Sequence, residues 1–224
     1  MAVRTIVPRQ IERKTRVLHR RANALLAESR ILPLLRKCGE VGLGGSYALN
    51  LMTHGDIDIH VWNAKITEEQ VLRVLLKIIR LRYFRGHLYY DFTKHRHRGF
   101  PRGWYIGLKK RFRGEKWMVD VWLTKSPRQT HRRLPTPFDS QTRLSILKLK
   151  AIRDERKLDI PSWDIYQAVL YHNVRTWDQL LRSRVNSHFW LVELSIFLYG
   201  KPLIDDYERT EIQNLVVDSG IAHI

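Results

Sequence analysis

The spacing of apolar residues changes along the chain, and each change predicts a different kind of element. Between residues 10 and 28, apolar positions recur at helical spacing while arginine and lysine occupy most of the remaining surface. The later segments HLYYDFT, GWYIGLKKRF and KWMVDVWLT alternate aromatic and β-branched residues, as strands do. From about residue 139 helical spacing returns. The pattern therefore predicts a basic amphipathic helix, a region with strands, and a helical tail.

Shorter signals set the order of elements in the first part. EVGLGGS predicts a strand that ends in glycines, SYALNLM a short helix, and DIDIHVW a second strand. Thr67 followed by acidic residues predicts the start of another helix, which the apolar spacing continues as far as Phe84. The short RGE connection between the last two strands predicts a hairpin, so the sheet should be at least partly antiparallel.

The tail contains five helical runs and no comparable strand pattern. We expect an α+β fold in which a mixed sheet is flanked by helices and followed by a C-terminal helical bundle. The expected domains span residues 1–138 and 139–224. The predicted tail helices cover residues 139–156, 162–171, 176–182, 187–199 and 205–217.

Two carboxylates stand close together in DIDIHVW. Side chains on a strand alternate between faces, so Asp56 and Asp58 point one way while Ile57 and Ile59 point into a core. Like charges held side by side repel one another, and a divalent cation between them is the usual solution. A solvated strand face is the alternative, and this segment alone does not decide between them.

Charge is distributed unevenly. The chain carries +18 overall, but residues 1–138 carry +19 and residues 139–224 carry −1. This asymmetry indicates a surface for nucleic acid or another polyanion, with a merely solubilising surface as the alternative. The single cysteine fits a reducing compartment, and the N-terminus lacks the apolar segment of a signal peptide. The longest apolar stretch, FWLVELSIFLYG, is too short to cross a bilayer, so we expect a cytoplasmic protein without a membrane partner.

A glycine loop precedes the paired aspartates. Gly44, Gly45 and Ser46 lie where a strand leads into a helix, an arrangement that suits a phosphate but is weak evidence alone. Together, GGSYALNLMTHGDIDIHVW and KWMVDVW resemble the signature of the DNA polymerase β-type nucleotidyltransferase superfamily, a resemblance that covers mainly residues 40–125. It implies an enzyme that transfers a nucleoside monophosphate from a nucleoside triphosphate to an acceptor hydroxyl.

The resemblance also implies roles for individual residues. Three aspartates would form the catalytic, metal-binding set for Mg²⁺ or Mn²⁺, and the glycine loop would hold the β and γ phosphates of the triphosphate. A lysine from the first tail helix would reach the triphosphate, with Lys148 ahead of Lys150. The implied residues are Asp56, Asp58 and Asp120 for metal and Gly44, Gly45, Ser46 and Lys148 for nucleotide.

The acceptor is less defined. Residues 80–133 contain 16 Lys and Arg against 3 Asp and Glu, which favours RNA, including tRNA. A small-molecule, antibiotic-type acceptor and a catalytically silent nucleic-acid-binding or antitoxin-like module are the alternatives. No residue selects ATP over CTP, GTP or UTP, and nothing indicates an oligomeric state. Aromatic residues suited to stacking or to the core interleave these cations: Tyr83, Phe84, Tyr89, Tyr90, Phe92, Phe100, Trp104 and Tyr105.

Overall fold

The computed structural model describes residues 8–94, 100–127 and 137–185. Contacts group the chain into two compact units, Met1–Phe138 and Asp139–Ile224. The described elements of the first unit are α1 (Pro8–Ser29), α2 (Ile31–Arg36), β1 (Glu40–Gly44), α3 (Gly45–Ala48), β2 (Gly55–Trp62), α4 (Glu68–Arg80), β3 (Gly86–Asp91), β4 (Gly103–Phe112) and β5 (Glu115–Thr124).

The five strands form one mixed sheet in the order β1-β2-β5-β4-β3. Strands β2 and β5 pair in parallel, and the other three pairs are antiparallel. Arg113 and Gly114 connect β4 to β5 with φ angles of 48° and 86°, the left-handed conformations that tight hairpins need. The predicted α+β fold with a mixed sheet and flanking helices is thus confirmed, as is the antiparallel hairpin.

One face of the sheet forms the core of the first unit. Ile57, Ile59 and Val61 on β2 are fully buried, and they belong to one apolar cluster with residues of α1, α2 and α4. Strand alternation sends the intervening residues of β2 to the opposite face, where they are only half-buried. Helices α1, α2 and α4 therefore cover one face of the sheet, and the three predicted metal-binding aspartates lie on the other.

Helix α4 shows how local sequence sets an element's limits. The Thr67 hydroxyl accepts from the Gln70 backbone N–H and the Gln70 side chain accepts from the Thr67 backbone N–H, which forms a capping box. The helix ends at Arg80, four residues before the predicted end at Phe84. That part of the prediction was wrong because Arg82 takes a left-handed conformation, with φ of 53°, that ends helical geometry.

The second unit is helical over its described residues. It contains α5 (Ser140–Arg156), α6 (Ser162–Tyr171) and α7 (Trp177–Val185). Asp139 caps α5 by accepting from the Thr142 backbone N–H at 2.8 Å. The helices predicted over 187–199 and 205–217 lie outside the described residues, so the full bundle stays a prediction. Across the described part of the chain, no helix combines the length and apolar character needed to cross a membrane.

Candidate functional site

The parallel pairing of β2 with β5 brings the three predicted carboxylates onto one face. Asp58 is paired with Asp120, and Asp56 is paired with Met118 two residues earlier on β5. All three aspartates are half-buried and belong to the face opposite the core. The structure therefore places on neighbouring strands three residues that are 64 positions apart at most.

Asp120 has a partner on the next strand. The Tyr105 hydroxyl donates to Asp120 Oδ1 at 2.7 Å. Gly107, not Tyr105, is the residue of β4 directly opposite Asp120. The Tyr105 oxygen lies 2.6 Å from the position that a Cβ of Gly107 would occupy, so the absence of a side chain at Gly107 lets Tyr105 reach across. The sequence pattern identified Tyr105 only as one aromatic residue among several.

Electrostatics link the same residues. Burial raises the pKa of the Asp120 carboxyl, and the hydrogen bond from Tyr105 opposes this by favouring the ionised form. Burial also raises the pKa of Tyr105, helped by the hydrogen bond to Asp120 and by the charges of Asp120, Asp56 and Asp58. The phenol therefore stays a donor, and three carboxylates act electrostatically on one hydroxyl.

Replacing Tyr105 with Phe should raise the pKa of Asp120 further, because the group that favours its ionised form is lost. A folded-state pKa above the ordinary one means that the folded chain holds the proton more tightly, so stability falls as pH rises through that window. The window should extend to higher pH in Tyr105→Phe. Carboxyl ¹³C NMR titration of Asp120 and pH-dependent unfolding measure both effects.

The matched control is Tyr89→Phe, on the adjacent strand β3. It removes a hydroxyl that donates to Glu68 at 3.2 Å, not to Asp120. This control should leave the titration of Asp120 unchanged. An unchanged Asp120 titration in Tyr105→Phe would show that the hydroxyl does not set the protonation of Asp120.

The glycine loop packs directly against β2. Gly45 has φ of +57°, and a Cβ there would lie 1.7 Å from Asp58 Oδ2. A Cβ on Gly44 would lie 2.4 Å from Nε2 of His60, the next residue on the aspartate face. Both glycines are therefore required for close approach of the loop to the carboxylate strand, and Gly45 also for its left-handed backbone.

Helix α3 is shorter than the pattern SYALNLM predicted. It comprises Gly45–Ala48, a single turn that includes the buried Ser46. So short a helix sums few peptide dipoles, and its N-terminus contributes little positive potential. The predicted role of Gly44, Gly45 and Ser46 in holding phosphate therefore depends on the open backbone of the loop and stays a prediction.

Helix α1 holds this loop through three residues at i, i+4 and i+8. The Thr15 hydroxyl donates to the Met52 carbonyl at 2.9 Å. The His19 ring stacks on Tyr47 with centroids 4.7 Å apart and planes 2° from parallel. The Tyr47 hydroxyl donates to Asn23 Oδ1 at 2.6 Å, and burial raises the pKa of this phenol. One stripe of α1 thus anchors the segment between the glycines and the paired aspartates.

The two lysines proposed for the triphosphate both lie on α5 in the second unit. Lys150 is fully buried and its Nζ donates to the Tyr166 hydroxyl at 3.2 Å, within that unit. Lys148 is half-buried, and its phosphate contact stays a prediction. The burial of Lys150 weakens its candidacy as second choice because its ammonium already has a partner inside the helical unit.

The three aspartates offer the kind of ligand atom that a hard divalent cation prefers. Asp56, Asp58 and Asp120 offer carboxylate oxygens, the ligands that Mg²⁺ prefers. As placed, however, the described residues contain no group of three or more His, Cys, Asp or Glu side chains that could hold a metal ion. The strand register puts the three carboxylates on one face. Their side chains would have to rotate to bring the oxygens together around one ion.

Comparison with known proteins adds no identity. No family model matches the chain, and the search of curated proteins finds no match either. Geometry therefore defines the candidate site: three carboxylates share one sheet face, one of them is packed under a glycine loop, and one accepts a hydrogen bond from a tyrosine.

Proposed function

We propose that the protein is a metal-dependent nucleotidyltransferase that transfers a nucleoside monophosphate from a nucleoside triphosphate to a hydroxyl of RNA, with tRNA included. The observation that carries this proposal is the register of β2 and β5, which sets Asp58 beside Asp120 with Asp56 on the same face. The glycine loop lies against Asp58 on the β1 side, away from Asp120 on β5. The resemblance to the DNA polymerase β-type superfamily supports the same assignment.

The reaction is an in-line displacement at the α-phosphorus. The acceptor oxygen forms a new bond to phosphorus, the bond from phosphorus to the β-bridging oxygen breaks, and pyrophosphate leaves. The acceptor proton passes to a base or to water. Asp120 is the candidate for accepting it, because burial raises its pKa while Tyr105 orients one of its oxygens.

Asp56 and Asp58 are proposed to hold Mg²⁺ or Mn²⁺, with Asp120 completing the set. A bound divalent ion supplies charge stabilisation for the attacking and leaving oxygens. The chain's own contribution is to hold three carboxylates on one sheet face and to position the loop of Gly44, Gly45 and Ser46 for the β and γ phosphates. Lys148 is proposed to contact the triphosphate.

RNA is the favoured acceptor because exposed cations share the face with the carboxylates. Strand alternation puts Lys109 and Arg111 of β4 on that face, and both are exposed. Lys110 points the other way and donates to the Tyr83 carbonyl at 2.8 Å. Phosphate contacts by lysine and arginine supply most sequence-independent affinity for nucleic acid. Helix α1 adds further exposed cations, among them Arg13, Lys14, Arg16 and Arg20.

Incubation of the purified chain with each α-labelled nucleoside triphosphate, Mg²⁺ or Mn²⁺ and total cellular RNA tests this proposal. We expect label in RNA with the native chain and none with the double variant Asp56→Ala/Asp58→Ala, because the variant lacks the proposed metal carboxylates. The same assay identifies the preferred nucleotide.

Triphosphate binding that requires metal, without labelled RNA, would contradict the RNA acceptor and favour a small-molecule acceptor. Absence of both metal-dependent triphosphate binding and transfer would contradict the proposal that the protein is an enzyme. It would favour the catalytically silent nucleic-acid-binding or antitoxin-like module.

A further inference from the structure

The proposed site residues follow one another across the sheet face that carries the aspartates, from the β1 edge to the β3 edge. The glycine loop lies at the β1 side, the paired aspartates on β2 and Asp120 on β5. Tyr105 on β4 follows, and β3 forms the far edge. If phosphates bind at the glycine loop, the acceptor hydroxyl must approach from the opposite side, where Asp120 and Tyr105 lie.

Five aromatic side chains form a continuous cluster on that acceptor side. Trp122 lies with its ring centroid 5.1 Å from Tyr105 and 5.5 Å from Phe92. Phe92 stacks on Phe100 at 5.4 Å with planes 11° from parallel, and on Tyr90 at 5.9 Å. We call this cluster the aromatic surface; its members are Tyr90, Phe92, Phe100, Tyr105 and Trp122. It contacts Asp120 through the hydroxyl of Tyr105.

Two members of this cluster are open to solvent, while Trp122, in ring contact with Phe100, is buried at 8% exposed. Tyr90 and Phe100 are each 51% exposed, whereas Phe84 and Trp104, from the same stretch of sequence, are 3% and 5% exposed and belong to the core. Large aromatic faces open to solvent beside a polar site are typical of surfaces that stack unpaired bases. Of the eight aromatic residues that the sequence offered for stacking or for the core, Phe84 and Trp104 thus belong to the core, and Tyr90 and Phe100 belong to the surface.

Positive charge accompanies the aromatic surface. Arg102 and Lys125 line a cavity of about 420 Å³, together with Thr93, Gly103 and Trp104. The cavity adjoins the aromatic surface because the Phe92 backbone N–H donates to the Gly103 carbonyl at 2.8 Å. Lys109 and Arg111 are exposed further along β4. Aromatic faces with cations on either side match the alternation of bases and phosphates in a single strand.

We infer that the aromatic surface binds the unpaired 3′-terminal bases of a single-stranded RNA acceptor and so presents the terminal hydroxyl to Asp120. This inference rests on the proposed function and deepens it: it names a single-stranded end, not a duplex or a small molecule, as the acceptor. Stacking tolerates any base, so the surface selects an unpaired end and not a sequence.

Fluorescence anisotropy with two RNAs tests the inference: one single strand, and one hairpin of the same length with a blunt, fully paired end. Tyr90→Ala and Phe100→Ala should each weaken binding of the single strand roughly tenfold and leave the hairpin within about twofold, since loss of one stacking partner typically has this magnitude. Tyr90→Phe should retain affinity because the ring remains. Tyr171→Ala, which truncates a 58% exposed aromatic residue of the second unit, is the matched control and should have no effect.

Three results would overturn the inference. Equal weakening for the single strand and the hairpin would show a general contact, and unchanged affinity would show no contact. Transfer of labelled nucleotide to a DNA single strand as readily as to the RNA would remove the assignment to RNA, because stacking alone does not distinguish the two. Metal-dependent transfer of labelled nucleotide to RNA, measured on the same variants, separates these results from failure of the proposed function: transfer can persist while the stacking assignment fails.

Discussion

Asp58→Asn is expected to lower nucleotidyl transfer by about three orders of magnitude while leaving RNA affinity within about twofold of the native chain. The substitution keeps the shape of the side chain under Gly45 but removes the negative charge from one of the three proposed metal carboxylates. Losing several kcal/mol of metal-dependent charge stabilisation corresponds to roughly 10³-fold in rate. The proposed RNA contacts are made by lysine and arginine side chains that this substitution leaves intact, so RNA affinity should keep its salt dependence.

A second readout does not depend on transfer. Mg²⁺ that binds only the folded chain raises the free energy of unfolding, so the native melting temperature should rise with Mg²⁺ concentration and that of Asp58→Asn should not. Asp159→Asn, at an exposed carboxylate of the second unit, is the matched control and should behave as the native chain does. Equal transfer by Asp58→Asn and the control would refute the carboxylate site. A parallel collapse of RNA affinity with the fold intact would refute the separation of site and RNA surface.

Gly45→Ala is expected to reduce transfer by about 100-fold or more. The new Cβ would lie 1.7 Å from Asp58 Oδ2, far inside contact distance, so the loop or the carboxylate must move by more than 1 Å. Displacements of about this size in a catalytic group typically cost about 10²-fold in rate. The left-handed backbone, with φ of +57°, adds about 1 to 2 kcal/mol of destabilisation.

Gly114→Ala separates these two effects. Gly114 also has positive φ, at +86°, but among the described residues, apart from Gly114 and its two chain neighbours, none has an atom within 4 Å of the position of its Cβ. The control should therefore lose stability by a similar 1 to 2 kcal/mol and keep its activity. Urea unfolding and steady-state transfer, measured on both variants, make the comparison. Full activity in Gly45→Ala would mean that close packing of the loop on Asp58 is unnecessary.

Local patterns predicted most elements of the first unit but missed some limits. Alternation identified β2, β4 and β5, and the Thr67 signal identified the start of α4. The pattern did not anticipate α2, which includes Pro33 in its first turn, nor the end of α4 at Arg80. Apolar spacing continues past that point because Phe84 is buried in the core, although the chain is no longer helical there.

The site shows the same division. Asp56 and Asp58 were predictable as a pair because strand geometry alone puts them on one face. The role of Tyr105 was not predictable, since its contact with Asp120 depends on β4 pairing with β5 and on the missing side chain at Gly107. The buried partner of Lys150, Tyr166, likewise depends on the packing of α5 and α6.

The sequence by itself determined the strongly positive first 138 residues, the alternation that pairs Asp56 with Asp58, and the glycines placed ahead of them. These are local properties, set by backbone geometry and by the charge of each side chain. Only the tertiary structure decided that β5 lies beside β2, that Gly45 packs on Asp58, and that Tyr105, in ring contact with Trp122, donates to Asp120. Strand order is chosen by burial of the whole apolar face, a free energy that no short segment contains.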